Sequence, residues 1–209
     1  MSAPPDPGLD VTNPAAAYGF DAAYRGAPPN WDVGHPQRAF VHLAEAGLVR
    51  GRVLEVGCGT GELSLFLAGR GHEVLGVDVA PSAVARARAK ARWRRADASF
   101  LVWDALRLSE VGVRADTVVD SAMLHCLGPD EQRRALREIR EVLEPGGYYY
   151  LLCDARPDGA WSHGASLSRA ELRDLFRAET GWELSFVVET VFERRYSSNP
   201  AYLAGARRL

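Results

Sequence analysis

From Arg52 onward the chain alternates short apolar runs, "RVLEV", "EVLGV", "SFLVW", "DTVVDS" and "YYYLLC", with helical patterns at about 61–70, 81–95 and 130–143. Alternation of this kind is what repeated βα units around a mostly parallel sheet produce, so the expected class is α/β. The last helical pattern stops at Pro145-Gly146-Gly147. Beyond it, Ser168 and Glu171 have capping-box spacing before another amphipathic helix. "WELSFVVETVFERRY" then reads as a strand with "AYLAGARR" as its antiparallel partner. Upstream of the alternation, "RAFVHLAEAGL" reads as a helix ended by Gly47, and "AYRGAPPNWDVGHPQ" as a covering loop. Residues 1–17, rich in Pro, Ala, Asp and Asn, are expected to form a flexible tail, with 18–209 one domain made of a lid (18–36) and a core (37–209).

Three glycines in five positions, Gly57, Gly59 and Gly61, separate the strand "RVLEV" from the next helix. They occupy the carboxyl edge of the sheet, where open α/β folds bind ligands, and glycine leaves no Cβ to obstruct a close approach. A dinucleotide fingerprint would put its third glycine at 62, where this chain has Glu62; a P-loop would need a lysine, which is absent. Glu55 and Glu62 flank the turn, repelling phosphates and favouring a cation. Asp78 ends the second run, 21 residues after Gly57, the spacing at which a carboxylate can take both hydroxyls of a ribose. A positively charged nucleoside meets these conditions, and S-adenosylmethionine is the commonest cofactor of that kind.

Taken in order, "VLEVGCGTGELSL", "GVDVAPSAVARARAKA", "FLVWDAL", "DTVVDSAMLHCL" and "EVLEPGGYYYLL" resemble the class I S-adenosylmethionine-dependent methyltransferases over roughly residues 30–209. "NWDVGHPQ" and "DSAMLHCL" are similar to the small-molecule group that includes thiopurine-methyltransferase-like and bacterial quinone or phenol methyltransferases. The resemblance implies a Rossmann-like sheet of seven strands, the last antiparallel, with helices on both faces and an N-terminal lid. It also implies site residues. Glu55 and the Gly57, Cys58, Gly59, Thr60, Gly61 backbone would meet the methionine part of the cofactor, Asp78 the ribose and Val79 the adenine face. Asp104, with Ala105 beside it, would meet the adenine amino group; Asp120 and Ser121 would lie where the methionyl end and the acceptor meet. Trp31 and Tyr24 would close over the site.

Methyl transfer from a sulfonium chiefly demands alignment and exclusion of water, and a base helps only when the acceptor holds its proton. His125, just after the fourth strand, is the candidate base, with Asp120 beside it as a second catalytic candidate; the alternative for His125 is a packing or hydrogen-bonding residue. Tyr24, His125 and Trp161 are candidate acceptor contacts. Arg86, Lys90 and Arg94 share one helical face, read as a solvated face rather than a nucleic-acid patch, and "YYYLL" is read as core.

The formal net charge of -2 gives no reason to seek nucleic acid or an anionic membrane. No apolar stretch approaches a membrane span and "MSAPPDPGLDVTNP" is not laid out as a signal peptide, so a cytoplasmic protein is expected. Cys58, Cys126 and Cys153 form no CxxC pair and the five histidines no HxxxH, so no metal is expected. The reading is a monomeric or homodimeric methyltransferase acting on O, S or N of a small aromatic, heterocyclic or quinone-like molecule. Its rivals are a methyltransferase of RNA or protein, and a non-catalytic module of the same fold holding this or another nucleotide such as NAD.

Overall fold

The computed structural model describes residues 11–160 and 165–209. Each apolar run forms a strand: β1 (Val53–Val56), β2 (Val74–Asp78), β3 (Ala98–Val102), β4 (Ala115–Ser121) and β5 (Leu143–Asp154), followed by β6 (Trp182–Glu193) and β7 (Ser198–Arg208). They form one sheet in the order β3-β2-β1-β4-β5-β7-β6. Only β7 runs against its neighbours, pairing antiparallel with β5 and β6; the pairs among β1 to β5 are parallel. The strand order reverses between β2-β1 and β4-β5, so the chain leaves β1 and β4 in opposite directions and opens a crevice at their carboxyl ends.

Helices α2 (Arg38–Glu45), α3 (Glu62–Ala68), α4 (Pro81–Arg94), α5 (Pro129–Val142) and α6 (Arg169–Leu175) cover the sheet. Adjacent strand residues point to opposite faces, and the core divides accordingly. Val53 packs with Phe40, Leu43, Leu63 and Leu67 of α2 and α3. Leu54 and Val56 instead share a cluster with Leu136 and Ile139 of α5 and Trp182. "YYYLL" behaves as expected of core: Tyr149 and Tyr150 are both buried, one in each cluster. The capping box at α6 is formed, Ser168 Oγ accepting from the Glu171 N–H and Glu171 from the Ser168 N–H.

The N-terminal segment differs from the expectation. Helix α1 runs from Pro14 to Arg25, taking in residues assigned to the tail and the start of the covering loop. Asn13 caps it by accepting from the Ala16 N–H, with Pro14 at the first position, where a missing N–H costs nothing. Its inner face buries Asp21 and Tyr24; Asp21 accepts from the Ser82 N–H at 2.7 Å and pairs with Arg25. An acid reaching across to the first turn of α4 thus fixes α1 over the carboxyl edge of the sheet.

Candidate functional site

The glycine turn is shaped by three different neighbours. All three glycines have positive φ, 67° at Gly57, 51° at Gly59 and 83° at Gly61. A Cβ at Gly57 would lie 2.6 Å from Met123 Cβ, one at Gly59 would lie 2.9 Å from the Tyr24 hydroxyl, and one at Gly61 would meet Phe100 and Ala87 within 2.9 Å. Gly61 therefore serves helix–strand packing, while Gly57 and Gly59 keep the crevice narrow without closing it.

Two adjoining cavities occupy that crevice. The larger, of about 470 Å³, is lined by Tyr24, Trp31, Gly57, Asp78, Val79, Asp104, Ala105, Ser121 and His125, so the sheet edge gathers most of the expected site. The smaller, of about 80 Å³, is lined by Glu55, Cys58, Thr60 and Gly61 and shares Trp31, Gly57 and Ser121 with its neighbour. The Cys58 side chain is buried in a cluster with Leu65, Ala87 and Phe100.

Both oxygens of Asp78 are anchored, Oδ2 by the Gly59 N–H at 2.7 Å and Oδ1 by the Ala80 N–H at 2.8 Å. Each keeps a second lone pair for a hydroxyl. Burial pushes the Asp78 carboxyl above its ordinary range. Glu55, buried in β1, accepts from the Ser64 N–H at 2.9 Å and hydroxyl at 2.5 Å, and burial pushes its pKa up to about 8. Asp104 caps the 3-10 segment after β3, accepting from the Leu106 N–H, and also accepts from the Thr12 N–H at 2.7 Å. The segment leading into α1 thus crosses the Asp104 end of the cavity. Opposite, Trp31 Nε1 donates to the Tyr24 hydroxyl at 2.8 Å, and the Thr60 hydroxyl meets Asp32 at 3.0 Å, tying the lid to the glycine turn.

Three of the expected residues stand differently. Asp120 is fully buried and lines neither cavity: Oδ1 accepts from the Met123 N–H, and Oδ2 from the Leu124 N–H and the Tyr149 hydroxyl. This carboxylate at the end of β4 has turned back to hold the following loop. Within that loop Ala122 takes φ 78°, unusual for a residue with a side chain, and its N–H is pinned by the Leu152 carbonyl. His125 lines the cavity, but its Nδ1 accepts from the Asp154 N–H at 2.9 Å. The neutral ring must then carry its proton on Nε2, so the other nitrogen is a donor; burial depresses its pKa to about 4. This arrangement agrees with the hydrogen-bonding alternative for His125. Trp161 lies outside the described residues.

Not named among the expected site residues are Asp154, the last residue of β5, and Arg194, just after β6, which line the large cavity with Phe192. The signal was available for Asp154, an acid at the end of a parallel strand like Asp78.

The fit to an adenosyl sulfonium compound is good on the structure's own terms: a glycine cradle that a Cβ would fill and anchored carboxylates with free lone pairs. Comparison with known proteins decides the family. A methyltransferase domain matches residues 53–147. The chain is 32% identical over 168 residues to a 2-heptyl-1-hydroxyquinolin-4(1H)-one methyltransferase of Mycobacteroides abscessus, spanning 75% of this chain and 73% of that protein. The chain belongs to the class I S-adenosylmethionine-dependent methyltransferases. A demethylmenaquinone methyltransferase of Thermus thermophilus is 34% identical over 148 residues, 70% of this chain and 60% of that protein. A solved structure described with the conversion of a disulfide bond into a thioacetal group during echinomycin biosynthesis aligns with TM-score 0.83 and 34% identity, over 92% of this chain and 91% of that one. The methyltransferase therefore acts with S-adenosylmethionine on a small molecule. Among the described residues no cluster of His, Cys, Asp and Glu could hold a metal, and no helix is long and apolar enough to cross a membrane.

Proposed function

We propose that this methyltransferase methylates O, S or N of an aromatic, heterocyclic or quinone-like acceptor. The observation that carries the reading is the make-up of the cavity beyond Ser121, where Met123, Leu127 and Phe192 offer apolar walls beside the donor His125. A flat conjugated molecule with one polar edge suits such walls. The hydroxyquinolone and menaquinone relatives support the same class.

S-adenosylmethionine, when bound, supplies a methyl group already activated on a sulfonium. The chain's part is to hold and orient. On this reading Asp78 takes the ribose hydroxyls, Val79, Asp104 and Ala105 the adenine, and Glu55 with the glycine turn the methionine end. Ser121 and the loop held by Asp120 border the reacting groups, while Tyr24 and Trp31 exclude water. No step requires a metal.

A cytoplasmic protein without a nucleic-acid partner, monomeric or homodimeric, fits the same reading. In support, the basic face of α4 is engaged within the chain: Arg86 donates to the Gly26 carbonyl, and Lys90 and Arg94 pair with Glu62. The test is incubation with S-[methyl-d3]adenosylmethionine and a panel of hydroxyquinolones, quinols, phenols and thiols. Transfer of an intact trideuteromethyl group to a panel member is expected; S-adenosylmethionine binding with every panel member unmodified would sink the acceptor class.

A further inference from the structure

Beyond His125 the large cavity is bordered by a guanidinium that none of the roles above uses. Arg194 lies just after β6, lines the cavity and keeps 20% of its side chain exposed. Its three nitrogens are placed differently. Nη2 donates to Asp154 Oδ2 at 2.5 Å, and Nε is buried without a partner. Only Nη1 is neither bonded nor sealed among the described residues. A guanidinium nitrogen has no acceptor lone pair, so the open end of this group offers a hydrogen bond with positive charge behind it.

The segment that carries Arg194 is held on both sides. The Glu193 N–H and carbonyl both bond to the Gln37 amide, while Arg195 donates through its N–H to the Asn30 carbonyl and through Nη1 to the Asp32 carbonyl. The Arg194 guanidinium carbon lies 5.2 Å from the centre of the Phe192 ring, another wall of the cavity. The titratable groups facing Arg194 are His125 and Cys126 from the segment after β4 and Asp154 from the end of β5. His125 spends Nδ1 on the Asp154 N–H and keeps Nε2–H as a donor, and Cys126 Sγ bonds to the Ala122 carbonyl. Asp154 gives Oδ2 to Arg194 and to the Asn199 amide and has Oδ1 buried. Two donors therefore serve this end of the cavity, among groups whose acceptor atoms are engaged or sealed.

We propose that Arg194 Nη1 and His125 Nε2 bind the acceptor as an anion, through an oxygen conjugated to the reacting atom. The proposal rests on the acceptor class proposed above and narrows it to acidic members. In these the reacting O, S or N shares one negative charge with a second oxygen once the proton has left to solvent. As the bond from the reacting atom to the methyl carbon forms, the sulfur–methyl bond breaks and its electron pair stays on sulfur. An anion and a sulfonium thereby give two products in which both charges have gone. The methylated molecule no longer carries the charge that Arg194 holds, which favours its release.

The test is calorimetry of acceptor binding to the protein saturated with S-adenosylhomocysteine. The probes are 2-heptyl-1-hydroxyquinolin-4(1H)-one, whose N-hydroxyl ionises in conjugation with the ring carbonyl, and 2-heptylquinolin-4(1H)-one, which lacks that hydroxyl. In wild type the affinity for the hydroxy compound is expected to rise up to tenfold per pH unit toward the compound's own pKa and then level. The second compound should bind more weakly and without that slope. Arg194→Gln should lose about tenfold or more in affinity for the hydroxy compound, little for the other and none for S-adenosylhomocysteine. A merely structural role would weaken both compounds alike. Equal losses, an undiminished preference in Arg194→Gln, or a wild-type affinity that stays flat or falls as the compound ionises would overturn the proposal while leaving the acceptor class intact. Failure of wild type to bind either compound would sink this narrower class together with the proposal. Should Arg194→Gln not fold, combining it with Asp154→Asn replaces the ion pair by two amides, and the same losses are expected of that variant.

Discussion

The Asp154 backbone N–H donates to His125 Nδ1 across 2.9 Å, and this one bond fixes which nitrogen of the ring faces the cavity with a proton. A backbone amide cannot reverse its role, so the ring has to accept there. With burial also depressing its pKa to about 4, the imidazole stays neutral through the physiological range. NMR of nitrogen-15-labelled histidine should show His125 in the Nε2–H tautomer, with no titration between pH 5 and 8 expected from that depressed pKa. Titration near the ordinary histidine value, or a proton on Nδ1, would favour His125 as the base.

On the proposed reading Asp78 holds both the glycine turn and the ribose, and its replacement should show both. Asp78→Ala removes the acceptor of the Gly59 and Ala80 N–H groups, each costing about 1–3 kcal/mol if left buried and unpaired, as well as the partner of the ribose. S-adenosylhomocysteine affinity should fall well over tenfold and the melting temperature should drop, whereas Asp78→Asn, which keeps one acceptor oxygen, should lose less stability. Calorimetry and thermal unfolding on the two variants check this; near-wild-type affinity in Asp78→Ala would remove the ribose assignment.

Asp120 governs how stability depends on pH. Burial raises its pKa from 3.8 to about 6, so the folded state holds a proton that the unfolded state has released. Its contribution is fully present below about pH 4 and is lost as pH rises through about 6, amounting to at most about 3 kcal/mol at about 1.4 kcal/mol per unit. His125 acts in the opposite sense over part of this window, so the informative quantity is the difference between Asp120→Asn and wild type, in which His125 is common. Denaturant unfolding from pH 4 to 7 should show wild type losing stability relative to Asp120→Asn as pH rises through about 6. Profiles that run parallel would mean Asp120 is ionised throughout.

Glu55 should make cofactor binding depend on pH. Burial holds its pKa at about 8, and an ammonium group bound beside it would favour the ionised form. S-adenosylhomocysteine affinity is expected to rise by up to tenfold per unit as pH increases toward 8, with a proton released on binding. Calorimetry in buffers of different ionisation enthalpy measures that proton; the dependence should vanish in Glu55→Gln.

The periodic part of the fold was legible because each apolar run had to be buried on both faces, leaving "RVLEV" or "DTVVDS" little freedom except as parallel strands. The start of α1 was not. Its signals, Asn13 followed by Pro14, lie in an Ala-rich segment with little apolar contrast, and the bond from Asp21 to Ser82 that seats the helix is made across 61 residues. That Asp78, Asp104 and Ser121 border the crevice was readable from their places at strand ends. The orientation of a side chain was not: Asp78 and Asp120 end equivalent strands, yet one faces the cavity and the other turns back to Tyr149. Asp154 and Arg194 become neighbours only through the antiparallel β7 that places β6 in the sheet.

The most direct measurement is titration calorimetry of the wild-type protein with S-adenosylhomocysteine and, separately, with NAD. Micromolar binding of S-adenosylhomocysteine and no heat from NAD is predicted. Heat from NAD with none from S-adenosylhomocysteine would contradict the reading of the glycine turn and of every residue placed around it.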